Sequence, residues 1–433
     1  MDPFVLGIVS IILMIALTFM GVPIALALLA IGAAGNIYLM GLPQTAMQVH
    51  MITWESGTNF LLIAVPLFVL MGQLVYHTQI ASDLYDFVHK WFGRLPGGLA
   101  VTGVFTSAGF GAITGSSVAA IATMGIMVMP EMKKYKYNLR LATGSLASAG
   151  TLAIMIPPSI PMVIYGVWTE TSIGQLFIAG VIPGILLAAG FCVMIVVRCV
   201  MDRKLGPAGP VYSWTERLAA LTKLMPTTII FIIVLGGIYG GVFTPTEASA
   251  IGAVGVLAVA LVMRRLTVKR LAESLWQTGE ISAMIYAILI GGVMFSRLLV
   301  QTDVTPALVN YIAALQVSPH SVIFLFSIMF LLLGAVLDTF GMLILTLPLV
   351  FPICRNLGFD PVWFGIYMTI MMEIAMLTPP IGLNVFVMQR VTPEVPLSEI
   401  FRGVLPFVII CLALVVLIVV FPQLALWLPA TMG

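Results

Sequence analysis

Apolar runs dominate the chain and are broken by short polar connectors. A helix that crosses a bilayer needs about 20 mostly apolar residues. Ten segments qualify as candidate spans: 4–19, 22–40, 59–76, 139–167, 176–199, 225–242, 247–263, 281–300, 363–388 and 404–428. Two further apolar stretches, 99–130 and 321–352, are too long for simple spans and carry small or polar residues in their middles. Each predicts a re-entrant helical hairpin. The stretch from His77 to Arg94 alternates Asp83, Asp86, His89 and Lys90 with Leu84, Tyr85, Phe87, Val88, Trp91 and Phe92. It predicts an amphipathic helix lying along the membrane interface.

Composition fixes the class. Of 433 residues, 61% are hydrophobic and 8% charged, against about 25% charged in a soluble domain. So few charges cannot cover a water-facing surface. Net charge of +2 offers no basic face for nucleic acid. The four cysteines form no C-x-x-C pair and read as buried thiols, and no H-E-x-x-H metal motif occurs. The first apolar run lacks a basic leader and a small-residue cleavage site, so it reads as a span rather than a signal peptide.

Seventeen of the 19 lysines and arginines fall in five connectors, and only Arg297 and Arg355 lie outside them. All five connectors face the cytoplasm if hairpin 99–130 enters and leaves from that side and hairpin 321–352 from the other. Both termini are then periplasmic. The two hairpins open related units. Pro130 precedes Pro157-Pro158 by 27 residues, and Pro352 precedes Pro379-Pro380 by the same 27. Ser116-Ser117 and Asp338-Thr339 occupy the hairpin middles at a common offset of 222. The expected architecture is an all-α polytopic membrane protein with inverted repeats, two re-entrant hairpins and two broken helices. Its parts are scaffold helices and interfacial arm (1–95), a first transport repeat (96–200), a flexible Gly/Pro-rich cytoplasmic linker with further scaffold helices (201–280), and a second repeat (281–433).

A Pro-Pro pair inside a span breaks the helix and frees carbonyl groups. Bare carbonyls at membrane depth are tolerated only inside protein or beside a water-filled cavity, and they suit a small hard cation. The first tip reads Gly111-Ala112-Ile113-Thr114-Gly115-Ser116-Ser117 and the first break Ile156-Pro157-Pro158-Ser159-Ile160-Pro161. The second tip reads Gly334-Ala335-Val336-Leu337-Asp338-Thr339-Phe340-Gly341 and the second break Thr378-Pro379-Pro380-Ile381-Gly382-Leu383-Asn384. Asp338 is the most informative of these, because an intramembrane carboxylate is costly and marks function by default; the competing reading is a structural acceptor at a helix turn. Glu373 either serves the site or pairs with a neighbouring hydroxyl. Arg297 either anchors substrate or snorkels to the interface. The serines and threonines alone would be packing hydroxyls, and their place at hairpin tips favours a ligand role.

The runs GAITGSSVAAIATMGIMVMPEM, GSLASAGTLAIMIPPSIPMVIYG, TPPIGLNVFV and GVPIALAL resemble the large membrane subunit of the tripartite ATP-independent periplasmic (TRAP) transporters over nearly the whole chain. The resemblance implies an elevator-type, Na⁺-driven importer of the bacterial inner membrane with about two Na⁺ sites. It implies two partners on separate chains: a small four-helix membrane subunit and a periplasmic substrate-binding protein. The cargo would be an organic anion such as a sialic acid, C4-dicarboxylate, keto acid, sulfonate or ectoine. Ser116, Ser117, Ser159 and Asn384 would face the substrate. Gly115, Ser116, Ser117, Pro157, Pro158, Asp338, Thr339, Thr378, Pro379 and Gly382 would hold Na⁺. Beyond membrane lipid, no other partner and no organic cofactor is implied. The competing classes are an intramembrane enzyme, which lacks a histidine beside its serines, and an ion channel, which the paired broken helices disfavour. No P-loop is present.

Overall fold

A computed structural model describes residues 1–334, 337–380 and 382–432. The first half runs α1 (Pro3–Phe19), α2 (Ile24–Met40), α3 (Leu42–Thr58), α4 (Ala64–His77) and α5 (Ile80–Phe92). A hairpin follows, α6 (Gly98–Thr114) and α7 (Ser117–Lys134), then α8 (Leu139–Ala149), α9 (Leu152–Met155), α10 (Ile160–Thr169) and α11 (Ile173–Met201). The second half runs α12 (Trp214–Tyr239), α13 (Pro245–Val262), α14 (Val268–Gln301) and α15 (Val304–Ala314). A second hairpin, α16 (Pro319–Leu333) and α17 (Thr339–Asn356), precedes α18 (Pro361–Ala375), α19 (Leu383–Val391), α20 (Leu397–Val420) and α21 (Gln423–Leu426). Among the described residues, eight helical segments are long and apolar enough to cross a membrane.

The repeat extends further than the Pro-Pro pairs show. Helices open at Ile24 and Pro245, Ile80 and Val304, Gly98 and Pro319, Ser117 and Thr339, Leu139 and Pro361, Ile160 and Leu383, and Ile173 and Leu397, each pair 221–224 residues apart. The amphipathic helix α5 therefore has a counterpart in α15, which the apolar pattern does not reveal. The frame repeats too, since α2 packs along α14 and α4 along α13.

Small residues seat the hairpins on the broken helices. Any side chain at Gly111 would collide with Ala153, and any at Gly334 with Ala375. Both members of the two pairs stand 222 or 223 residues apart, so this is one contact used twice. Close backbone approach of this kind is how helices gain packing energy where burial from water is not the drive. On the connector side, Arg140 at the start of α8 pairs with Glu399 at the start of α20.

Several boundaries differ from expectation, each for a local reason. Residues 42–58, which fall between the expected spans 22–40 and 59–76, form α3, whose polar residues Gln44, Gln48 and Glu55 do not register as a span. Helix α14 begins at Val268 rather than 281. Its 34 residues make it about 51 Å long at 1.5 Å per residue, so its polar first turns extend beyond a bilayer core. The linker after Asp202 is not free. Gly97 N donates to Gly206 O (2.9 Å), Gly209 N to Gly93 O (2.9 Å) and Asn138 N to Leu205 O (3.0 Å), while Tyr137 Oη donates to Pro207 O (2.8 Å). Glycine and proline there supply backbone acceptors and close fit instead of slack. At the second tip Ala335 and Val336, and in the second break Ile381, lie outside the described residues.

Gly111→Val and Gly334→Val should each lower stability by about 1–3 kcal/mol through overpacking. Gly279→Ala, where an added Cβ meets nothing within 4 Å, should raise it by roughly 0.5–1 kcal/mol by stiffening α14. Thermal unfolding of the detergent-purified variants measures all three. Equal midpoints for Gly334→Val and wild type would contradict the described contact.

Candidate functional site

The helix breaks are wider than two prolines. Helix α8 ends at Ala149, α9 is a single turn, and α10 restarts at Ile160. In the second unit α18 ends at Ala375 and α19 restarts after Gly382, which sits at φ +57°. Asn384 N reaches back across this break to Met376 O at 3.1 Å. Both Pro157-Pro158 and Pro379-Pro380 are cis. Each hairpin turns on a residue that caps its second helix. Ser116 Oγ accepts from Ala119 N at 3.4 Å, and an Asp338 carboxylate oxygen accepts from Gly341 N at 2.9 Å. The reversal at the first tip uses Gly115 at φ +60°, a left-handed conformation that favours glycine.

The two tips meet at one cavity of about 420 Å³, a size suited to a small organic molecule. Thr114, Ser116 and Ala119 of the first hairpin, Ile160 of α10, and Asp338 and Phe340 of the second hairpin form one wall. Gln73 and Tyr76 of α4 and Gln277 and Met284 of α14 form the other. A second cavity of about 500 Å³ shares Tyr76 and is lined by His77, Thr123, Arg270 and Glu273. Here His77 Nε2 lies 3.1 Å from Gln277 Oε1 and His77 Nδ1 lies 3.5 Å from Glu273 Oε2. The second cavity thus adjoins the first at Tyr76 and lies toward the basic connector of Arg264, Arg265, Lys269 and Arg270.

Some of the buried polar atoms without a protein partner lie at the tips and breaks: Thr114 Oγ1, Ser159 Oγ, Thr339 Oγ1 and both amide atoms of Asn384. Ser159 and Asn384 are 0% exposed. Each such atom costs about 1–3 kcal/mol if left unsatisfied, so its natural partner is a ligand, an ion or an ordered water. Neutral hydroxyl, amide and carbonyl oxygens with one carboxylate are the donor set a hard monovalent cation takes. The residues at the tips and breaks fit that ion.

The expected ligands do not all converge. Ser116 and Asp338 face the same cavity. A Cβ at Gly115 would lie 3.1 Å from Pro158 O, so the first tip rests on the first break. Ser117 turns away from the cavity, and its Oγ donates to the two Glu373 carboxylate oxygens at 2.9 and 3.1 Å. Pro157 is buried beside Ser159, whereas Pro379 is exposed. Thr378 Oγ1 donates to Ala375 O at 3.2 Å. Among the described residues no hydrogen bond joins Thr378, Pro379 or Gly382 to Asp338 or Thr339. Arg297 lies 3.8 Å from Glu55 on α3, and both are partly exposed. That ion pair sets it apart from the cavity. Gln73 and Gln277 were not anticipated. Gln73 stood in a candidate span, where its amide was a visible signal, while Gln277 fell outside the span assigned to its helix.

A family model described as "Tripartite ATP-independent periplasmic transporter, DctM component" matches residues 11–424. The chain is 36% identical over 406 residues to a C4-dicarboxylate TRAP transporter large permease protein of Pseudomonas aeruginosa, covering 93% of this chain and 94% of that one. It is 32% identical to an ectoine/5-hydroxyectoine TRAP transporter large permease protein of Ruegeria pomeroyi and 31% identical to a sialic acid TRAP transporter large permease protein of Vibrio cholerae, covering 96% of each chain in both cases. In fold it matches the crystal structure of the Alcanivorax borkumensis YdaH transporter with a TM-score of 0.59, covering 99% of this chain and 98% of that one at 14% identity.

In a background with Cys192, Cys199, Cys354 and Cys411 replaced, Ser116→Cys and Thr123→Cys should react with a membrane-impermeant thiol reagent added on the Arg270 side. Thr151→Cys, at a position 0% exposed, should stay unreacted. Labelling of Ser116→Cys solely from the opposite side would contradict the described cavities.

Proposed function

The chain belongs to the DctM-component family of tripartite ATP-independent periplasmic transporters, and from that premise we propose that it is a Na⁺-coupled importer of a small organic anion. Membership makes it an integral membrane permease subunit and not an enzyme. The finer reading rests on one observation: two hairpin tips, one bearing Asp338, share a cavity while unpartnered oxygen and amide groups crowd the neighbouring breaks.

The electrostatics give the order of events. An organic anion entering beside the Asp338 carboxylate meets a like charge. At 4 Å and an effective dielectric of 20 that repulsion is about 4 kcal/mol, or roughly a thousandfold in affinity. A cation at the second tip reverses the sign. Na⁺ binding, drawn by Asp338 and by the hydroxyl of Thr339, therefore precedes tight substrate binding. A second Na⁺ at the first tip and break would use Ser116, Ser159 and the carbonyls freed around Pro157 and Pro158. The hairpins and broken helices then move as one body past α4 and α14, carrying the anion between the cell's exterior and the Arg270 side. A separate small membrane subunit would brace the frame, and a periplasmic binding protein would deliver the anion to the inner-membrane complex. The relatives' cargoes give the panel to test: C4-dicarboxylate, ectoine and sialic acid.

The test is uptake into proteoliposomes holding this chain with its co-encoded membrane and binding subunits, with each labelled compound offered in turn. One of them should accumulate under an inward Na⁺ gradient without ATP and stop when choline replaces Na⁺. In Asp338→Asn the Na⁺ concentration for half-maximal uptake should rise by about tenfold or more, as the loss of one close charge partner dictates. Uptake that needs ATP, or that ignores Na⁺, would overturn the reading.

A further inference from the structure

We propose that Glu373 is a positioning residue that clamps the first hairpin tip across the repeat boundary, so that Ser116 stays aimed into the cavity. The inference rests on the proposed Na⁺ and anion site and names a residue that acts on it from behind. Glu373 is 1% exposed and Ser117 2% exposed. Neither lines the cavity between the tips. The bond between them spans 256 residues of sequence and links α18 of the second unit to the hairpin of the first. Both carboxylate oxygens lie within 3.1 Å of a single hydroxyl, and Ser117 is the residue next to Ser116.

The contact is not a by-product of the repeat. The residues equivalent to Ser117 and Glu373 at the 222 offset are Thr339 and Thr151. Thr339 Oγ1 has no partner, and Thr151 Oγ1 donates to Ser148 O at 2.7 Å within its own turn. A carboxylate clamp therefore exists on one side of the pseudo-symmetric body alone. Two residues beyond Glu373 on the same helix, Ala375 seats Gly334 of the second hairpin. One turn of α18 thus touches both hairpins: the second by shape, the first by a buried hydrogen bond. At the first tip, Gly115 against Pro158 O and Ser116 capping α7 complete a short run whose direction depends on where Ser117 is held. Burying a carboxyl beside a single hydroxyl is expensive, which makes sense for a group whose work is to fix that hydroxyl.

A clamp needs an acceptor and a shape rather than a charge, and the substitutions separate these. In the purified full chain, Na⁺ stabilises whatever state it binds. Melting is followed against Na⁺ with choline keeping ionic strength constant, and amide hydrogen exchange is followed over residues 112–120. Glu373→Gln keeps an acceptor of the same shape. Its half-effective Na⁺ concentration should stay within about twofold of wild type, and tip exchange should be unchanged. Glu373→Leu fills the space without an acceptor. It should raise the half-effective Na⁺ by about tenfold, the scale of a lost hydrogen bond to a charged group, and should speed exchange at 112–120. If Glu373→Leu does not fold, Ser117→Ala removes the donor and should speed the same exchange. The proposal is overturned if Glu373→Gln shifts as far as Glu373→Leu, since Glu373 would then act through its charge on a cation or proton. It is also overturned if neither Glu373→Leu nor Ser117→Ala changes exchange at the tip. Wild-type protein that melts identically in Na⁺ and choline would sink the Na⁺ reading instead, and the exchange measurements would still decide the clamp.

Discussion

At membrane depth a polar atom cannot fall back on bulk water, so every break in a helix must be answered by some other oxygen or nitrogen. This chain breaks two helices with paired prolines and turns two hairpins beside them. Of the buried groups left without protein partners, Thr114, Ser159, Thr339 and Asn384 lie at tips or breaks, while Asn36, Thr106, Ser282 and Thr305 are among those within helices elsewhere. Many hydroxyls in unbroken helices are satisfied locally: Thr102, Thr143, Thr346 and Thr369 each donate to the carbonyl four residues back. A helix break removes such nearby carbonyls, so Ser159 and Asn384 stay open to a partner from outside the chain.

Two copies of one unit place the deferred groups face to face. The glycine and alanine contacts at Gly111 and Gly334 seat each hairpin on its own broken helix by the same geometry. Identity of the units ends at the chemistry. The first tip offers Ser116 and Ser117, the second Asp338 and Thr339. The first hairpin is tied to the other unit through Glu373, and the second has no equivalent tie. The cavity between the tips therefore takes a carboxyl group from one unit and a neutral hydroxyl from the other.

Much of this was legible in the chain. Hydrophobicity and the basic connectors carried the membrane class. The matched prolines carried the paired breaks, because proline's effect on a helix is local and does not depend on packing. The arm α5 was legible from its amphipathic pattern, while its counterpart α15 was not, since Val304–Ala314 lacks charged residues on which a pattern could register. The second wall was illegible for a different reason. Gln73 and Gln277 come to one cavity only through the tertiary packing of α4 with α14, so even the visible amide of Gln73 did not say what it would face. Glu373 could be singled out but not assigned, because its partner lies 256 residues away and the contact crosses the repeat that spacing revealed.

Packing also says where motion is cheapest. Protein interiors are dense enough that elements locked by interdigitated side chains move together. The hairpins and broken helices have that character, with Tyr165, Tyr367, Phe364 and Phe407 fully buried among them. The gaps lie elsewhere. Besides the cavity between the tips, an apolar void of about 120 Å³ separates Gly109, Phe110 and Ile113 of the first hairpin from Leu224, Thr227 and Phe231 of α12. Another lies between Ile113, Pro158 and the α12–α13 pair. These three follow one seam, with hairpins and breaks on one side and α4, α12, α13 and α14 on the other. A surface that gives up close contact in this way loses little dispersion energy when it shifts, whereas sliding within the hairpin body would have to undo the Gly111 and Gly334 contacts and the Ser117–Glu373 bond together. If the hairpins and broken helices move as one body, as proposed, the boundary of that body is set by where the chain spends its small residues and its buried carboxyl group.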